Sequence, residues 1–276
     1  MTFAGLNDFV VKELEPSLGK GEAKATSLLL LEDCLGVDRT ALLTRGDRII
    51  EPETEERFRK MVARISAGEP PQYVVGSARF MGMTLKVTPA TLIPRPETAE
   101  LVDIIVDRLR GQSDLRILDV GTGSGCIAIA LSRALPFARV TALDISPEAL
   151  EVARENARNL RADITFVQGD ILSGDDFGRF DAIVSNPPYI AESERAAMES
   201  RVKDHEPAGA LFVPDSDPLK FYKAVADYAD RTDDRPSLFF EINPLYADAL
   251  KKMLDSRGFD CDLLRDSFGK IRFAVT

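Results

Sequence analysis

Apolar positions recur at helical spacing through the first quarter of the chain. Phe9, Val10, Leu14 and Leu18 share one face, as do Leu28, Leu31 and Leu35, with Gly36 placed to stop the second helix. Glu53 to Ile65 is a third amphipathic stretch, with Phe58, Val62 and Ile65 on one side. These stripes predict a small helical domain whose apolar faces are its core. The pattern changes at Pro70. Residues Arg79 to Val87 alternate around a glycine-containing turn and predict a β-hairpin linker. Thr91-Leu92-Ile93-Pro94-Arg95-Pro96 reads as a stiff, extended strap, because a residue before proline is pushed away from helix. Arg95, held between two prolines, is expected to brace the domain junction; binding a carboxylate is the alternative. Phe80 reads equally as a pocket wall or a core residue. From Glu97 strand and helix alternate to the end, and Cys261–Leu264 with Ile271–Val275 predict a closing antiparallel pair. The expected division is residues 1–72 helical, 73–96 hairpin linker and 97–276 α/β domain. Ala191–Asp217 is the longest irregular piece, and a loop of that length is usually a lid or a binding loop.

Chemistry enters at the ends of the predicted strands. Ile117-Leu118-Asp119-Val120 runs into Gly121-Thr122-Gly123-Ser124-Gly125, and a helix-like segment follows. This is the strand–turn–helix opening of a nucleotide-binding domain, with glycines that let the backbone approach a ligand. It is not the dinucleotide fingerprint, since the third glycine comes one residue early. The next strand ends at Asp144, about 20 residues on, where a carboxylate suits ribose hydroxyls. The third ends at Asp170, in reach of an adenine amine; a helix N-cap is the plainer role for either Asp. The fourth, Phe180–Ser185, ends in Asn186-Pro187-Pro188-Tyr189. The Asn carbonyl accepts from an NH2 group, the prolines leave rigid unpaired carbonyls, and the Tyr ring offers a stacking plane. That set suits holding a planar, amide-like nitrogen while a group is transferred to it.

The glycine loop, the two acidic strand ends and NPPY together resemble the class I S-adenosylmethionine-dependent methyltransferases. More specifically, Gly68-Glu69-Pro70-Pro71-Gln72-Tyr73-Val74-Val75-Gly76, the strap Pro89–Thr98 and Asp204–Leu211 are similar to segments of the HemK/PrmC family. The resemblance covers nearly the whole chain, the N-terminal helices most weakly. It implies a Rossmann-like α/β fold with a seven-stranded sheet and one reversed strand, preceded by a helical domain that recognises the protein substrate. It implies methyl transfer to the glutamine of the Gly-Gly-Gln loop of peptide chain release factors, in translation termination. S-adenosyl-L-methionine would be the cofactor and S-adenosyl-L-homocysteine the product. Gly121 to Gly125, Asp144, Asp170, Ile171 and Asn186 would hold the cofactor, with Asp119 beneath the loop. Asn186 Oδ1 and the Pro187 carbonyl would take the two amide hydrogens, with Pro188 and Tyr189 completing the catalytic set and Tyr189 stacked on the amide. Glu206-Pro207 would cap the lid. His205 stands where the family pattern leads one to expect an aromatic residue, and no role is assigned to it.

The 276 residues fit an average domain plus a smaller one. No apolar stretch approaches the length of a membrane helix, and the N-terminus lacks the features of a secretory signal. Three scattered cysteines form no metal spacing and point to reduced thiols in a cytoplasmic setting. Cys126 beside the loop is tempting as a nucleophile but has no evident base. A net charge of −10 leans away from direct nucleic acid binding and towards a basic protein partner. Two other readings stay open: a nucleic-acid adenine amino-methyltransferase, and a protein that binds the cofactor without catalysis.

Overall fold

The computed structural model describes residues 1–231 and 235–276, which form two compact units. The first comprises Met1–Ser77 with Glu199–His205, the second Ala78–Met198 with Glu206–Thr276.

The first unit is helical: α1 (Phe3–Leu18), α2 (Lys20–Leu35), α3 (Arg39–Arg45), α4 (Pro52–Ser66) and a short α5 (Pro71–Val75). Gly19 ends α1 and starts α2 at φ 76, ψ 160, a conformation that favours glycine and lets the two helices fold back on each other. Phe3, Leu6, Val10 and Leu14 pack with Leu30 and Leu31 of α2 and with Phe58, Val62 and Ile65 of α4. The buried seam of α2 runs through Ala23, Ser27, Leu30 and Leu31, whereas Leu28 and Leu35 are only half-buried. The run of four leucines hides the helical phase, and Ser27 settles it by donating to Asn7 Oδ1 on α1 at 2.9 Å.

The second unit begins as β1 (Ser77–Phe80) pairs with β2 (Met83–Lys86). Met81 and Gly82 turn the hairpin at φ 47 and 73, the left-handed pair that matches strand twist. Then follow α6 (Pro96–Leu109), β3 (Arg116–Val120), α7 (Cys126–Ala134), β4 (Arg139–Asp144), α8 (Pro147–Leu160), β5 (Ile164–Gln168) and β6 (Ala182–Ser185). The segment expected to be irregular is built from short pieces: β7 (Ile190–Ala191), a 3-10 turn, α9 (Ser200–Lys203), which belongs to the first unit, α10 (Ala208–Leu211) and β8 (Phe212–Val213), which pairs with β7. The chain closes with α11 (Lys220–Ala229), β9 (Ser237–Glu241), α12 (Ala247–Ser256), β10 (Asp262–Arg265) and β11 (Ile271–Val275).

The main sheet has the order β10-β11-β9-β6-β3-β4-β5. β9, β6, β3, β4 and β5 are parallel, and β11 alone runs against its neighbours. The central strands are apolar on both faces, as parallel strands covered by helices must be: β6 is buried at all four positions and β3 at four of five. One core cluster joins Ile117, Ala182, Val184 and Phe239 to α6 and α7; the other joins Leu118, Ile183, Leu238 and Phe240 to α11 and α12. Asn156 of α8, fully buried, ties the hairpin to the sheet: its Oδ1 accepts from Lys86 N at 2.7 Å, and its Nδ2 donates to the carbonyls of Lys86 and Ser124 at 2.9 Å each. No described helix is long and apolar enough to cross a membrane.

Candidate active site

Chain order reverses at β3, whose neighbours β4 and β6 lead away in opposite directions. Open α/β sheets bind ligands in the crevice at such a switch point, beyond the carboxyl ends of the strands. A cavity of about 610 Å³ lies there, within the second unit, walled by the glycine loop, the ends of β4, β5 and β6, and the proline strap. Ser185, the last residue of β6, donates its hydroxyl to the Val120 carbonyl at 2.7 Å, so the loop and the NPPY segment leave the sheet from adjacent, bonded positions.

Gly121, Thr122, Gly123 and Ser124 line the cavity. Gly121 and Gly123 have φ +75 and +54, and a Cβ on either would meet nothing within 4 Å. The backbone there is a bare surface open to a ligand. Gly125 departs from the expectation that all five loop residues meet a ligand. It is the N-cap of α7 at φ +82, a left-handed conformation that favours glycine, and a Cβ on it would also press on Ala153 and Ile129 at 3.2 Å.

Asp119 sits beneath the loop, fully buried. Its Oδ2 accepts from the Thr122 hydroxyl at 2.6 Å and from Ala128 N at 3.2 Å, while Oδ1 has no partner among the described residues. Burial lifts its carboxyl pKa to about 7, against the pull of those two donors. Cys126 also lines the cavity, but burial pushes its thiol up to about 12, which removes it as a nucleophile near neutral pH.

Asp144 binds the loop to β4: Oδ2 accepts from Gly123 N at 2.8 Å and Oδ1 from Ser146 N at 2.9 Å. The helix cap is Ser146, not Asp144. Asp170 closes a turn by accepting from Leu172 N at 2.9 Å and caps no helix. Both aspartates line the cavity, together with the apolar side chains of Ile145, Ile171 and Leu172. Ile145 is 64% exposed, although apolar.

Asn186, Pro187 and Pro188 also line this cavity. Asn186 Nδ2 donates to Thr98 Oγ1 at 3.2 Å, and Oδ1 receives no donor among the described residues. Tyr189 is not on the cavity surface. Its ring packs against the core between the sheet and α11, and its hydroxyl donates to Glu241 Oε1 at 3.0 Å. This departs from the stacking role expected for it, because the buried carboxylate at the end of β9 holds the phenol. Burial, with Glu241 beside it, raises the Tyr189 pKa. Asn243 pins the following segment, donating to the Tyr189 carbonyl at 3.2 Å and to Glu194.

The strap supplies Leu92, Pro94, Arg95 and Thr98 to the cavity. Arg95 pairs with Glu206, whose buried carboxylate also accepts from Ile93 N at 3.1 Å. Arg95 thus braces the strap against the start of α10, inside the second unit. Pro207 lines the cavity beside it. Phe80 is a core residue, 4% exposed and packed with Leu85 and Leu101. Glu241 and Asn243 carried no signal in the sequence, and Thr98 none beyond its place at the end of the strap, since what marks them is which distant residues they meet. Among the described residues no three His, Cys, Asp or Glu side chains are grouped to hold a metal ion.

Residues 12–76 match the PrmC N-terminal domain family, and residues 100–207 match the methyltransferase small domain family. A release factor glutamine methyltransferase of Bacteroides thetaiotaomicron is 43% identical over 96% of this chain and 96% of that protein. Proteins of the same name from Deinococcus radiodurans and Bacillus subtilis are 39% and 38% identical, covering 89% and 91% of this chain and 87% and 90% of theirs. Among solved structures, the hMettl16 catalytic domain in complex with the MAT2A 3'UTR hairpin 6 aligns with TM-score 0.54 at 16% identity, covering 82% of this chain and 81% of that one. Human methyltransferase 10 domain containing protein aligns with TM-score 0.52 at 19% identity, covering 70% and 88%. At these identities the structures share the fold alone.

Proposed function

We infer the reaction from one premise: the chain belongs to the release factor glutamine methyltransferase family. It is an enzyme that methylates the side-chain amide nitrogen of a glutamine in a peptide chain release factor, the glutamine of the Gly-Gly-Gln loop. The observation that carries this reading is the Asn186 amide, whose Nδ2 is committed to Thr98 and whose Oδ1 is left as an acceptor at the cavity.

S-adenosylmethionine, when bound, supplies a methyl group already activated on a sulfonium for in-line displacement. The residues fit it. An ionised carboxylate has about four acceptor positions. Asp144 spends two, on Gly123 and Ser146, and keeps capacity for a pair of ribose hydroxyls. Asp170 spends one on Leu172 and keeps capacity for an exocyclic amine, with Ile145, Ile171 and Leu172 as apolar surface for the base. The unpartnered buried Oδ1 of Asp119 suits a cationic ammonium, and bare glycine backbone leaves room for the methionine part.

The glutamine amide brings two N–H donors. Asn186 Oδ1 and the Pro187 carbonyl, whose following residue has no N–H to compete, take one each. Holding both hydrogens fixes the nitrogen and raises its electron density, which offsets delocalisation into the amide carbonyl. Catalysis is then mostly positioning and exclusion of water, and the proton leaves to solvent after transfer. The helical unit is the part we assign to release factor recognition, and the acidic balance of the chain suits a basic partner. Asn186→Ala tests the acceptor role. Turnover on release factor should fall about 10³-fold, with cofactor affinity by titration calorimetry unchanged. Near-normal turnover in that variant refutes it.

A further inference from the structure

We propose that Glu241, acting through Thr98, decides which end of the Asn186 amide faces the cavity, and is thereby a positioning residue for methyl transfer. The inference rests on the amide-transfer reading above and deepens it. Glu241 is the last residue of β9 and is 1% exposed. Its Oε2 accepts the Thr98 hydroxyl at 2.7 Å and its Oε1 accepts the Tyr189 hydroxyl at 3.0 Å. Its own backbone carbonyl is fixed by the Tyr222 hydroxyl at 3.0 Å.

A threonine hydroxyl has one proton and two lone pairs. Here the proton is spent on a carboxylate, so towards Asn186 the oxygen can only accept. The group it accepts from at 3.2 Å is Asn186 Nδ2, and Oδ1 therefore points the other way. Were the Thr98 proton free, Asn186 turned by 180° would bond Thr98 equally well through Oδ1. It would then offer its NH2 to the cavity, where an incoming glutamine also offers NH2. Two donors would face each other, and the acceptor of the transfer would be lost. The carboxylate thus fixes the polarity of a side chain it does not touch. It also holds the last residue of the NPPY segment in place.

Burial raises the Glu241 pKa, while the Thr98 and Tyr189 hydroxyls and the nearby Arg272 oppose that shift. Both carboxylate oxygens receive hydroxyl donors, the arrangement an ionised group requires. The chain of three residues spans 143 positions between Thr98 and Glu241 and 88 between Thr98 and Asn186. The pairing of Ser185 with Phe240 sets Asn186 and Glu241 at the ends of adjacent strands, and the Thr98 hydroxyl bridges them.

The test compares Thr98→Val, which keeps shape and removes the hydroxyl, with Thr98→Ser, which keeps the hydroxyl, and with Glu241→Leu, which frees the Thr98 proton. With wild-type enzyme active on release factor, Thr98→Val and Glu241→Leu should each lower kcat about 10²-fold while KM for S-adenosylmethionine stays within about threefold. Thr98→Ser should keep kcat within about threefold of wild type, and the Thr98→Val/Glu241→Leu double variant should lose no more than either single one, since the pair acts as a unit. Additive losses, or a kcat within fivefold of wild type in Thr98→Val, overturn the relay. A readout free of the reaction is the Asn186 side-chain NH2 signal in a nitrogen-15 spectrum, assigned by its loss in Asn186→Asp. Its exchange with solvent should be slow in wild type and Thr98→Ser and fast in Thr98→Val; equal exchange in all three also overturns the relay. Failure of the wild-type enzyme to label release factor, with slow exchange retained, counts against the substrate reading and leaves the relay standing.

Discussion

Replacing Asn156 by leucine should loosen the glycine loop and the hairpin without changing a side chain that lines the cavity. The side chain is 1% exposed, and leucine matches its shape, so no cavity opens. What is lost is three hydrogen bonds to backbone: Lys86 N at 2.7 Å, and the Lys86 and Ser124 carbonyls at 2.9 Å. A buried backbone group stripped of its partner costs about 1–3 kcal/mol. Lys86 lies near the surface and can recruit water, which puts its two groups at about 1 kcal/mol each. The bond to Ser124 is buried, which puts its carbonyl nearer 2 kcal/mol. The total is about 4 kcal/mol, and at about 2–4 °C per kcal/mol for a domain of this size the melting temperature should fall by roughly 8–16 °C. Because Ser124 belongs to the glycine loop, cofactor affinity should weaken as well, while kcat at saturating cofactor stays within a few-fold. Differential scanning calorimetry and cofactor titration read both effects. A melting temperature within 2 °C of wild type would mean that these three bonds do not hold the hairpin and loop.

Two further outcomes follow from buried groups. The Asp119 pKa is raised in the folded state to about 7, above its unfolded value of 3.8, so its contribution to stability is fully present below about pH 4 and is lost as pH rises through 7. Asp119→Asn should therefore gain stability relative to wild type as pH is raised from 4 to 8 in urea titrations of the ligand-free enzyme; a pH-independent difference contradicts the buried, neutralisable carboxyl. Cys126, with its thiol pushed up to about 12, should resist thiol reagents at pH 8 until the protein unfolds, and rapid stoichiometric labelling of it in the native enzyme would overturn that assignment.

The parts of the site that announce themselves in sequence are those built from neighbours in the chain. The glycine loop and NPPY are contiguous, each follows an apolar strand run, and the parallel sheet then brings their strands together at Val120 and Ser185. The alternation of strands and helices likewise foreshadowed the sheet and its reversed last strand. Other features depend on partners remote in sequence. Glu206 reads in sequence only as part of a lid cap, and its buried pairing with Arg95 and Ile93 depends on a strap more than a hundred residues away; Thr98 and Glu241 likewise look like an ordinary helix start and strand end. Tyr189 read as a stacking plane because its ring has that capacity, yet a buried carboxylate in reach outweighs it. The Leu28–Leu31 run gives no phase, and the two-residue strands Ile190–Ala191 and Phe212–Val213 are too short to show a period, so both escaped the pattern.

The reaction assigned to this enzyme is methyl transfer to a glutamine amide of a release factor. The most direct test offers methyl-labelled S-adenosylmethionine and the purified enzyme to release factor, to the same factor with Gln→Asn in its Gly-Gly-Gln loop, and to duplex DNA. Label should appear on the wild-type factor alone. Label on DNA and none on the factor would contradict it, leaving a methyltransferase fold and an amide-holding Asn186 that serve a base amine instead.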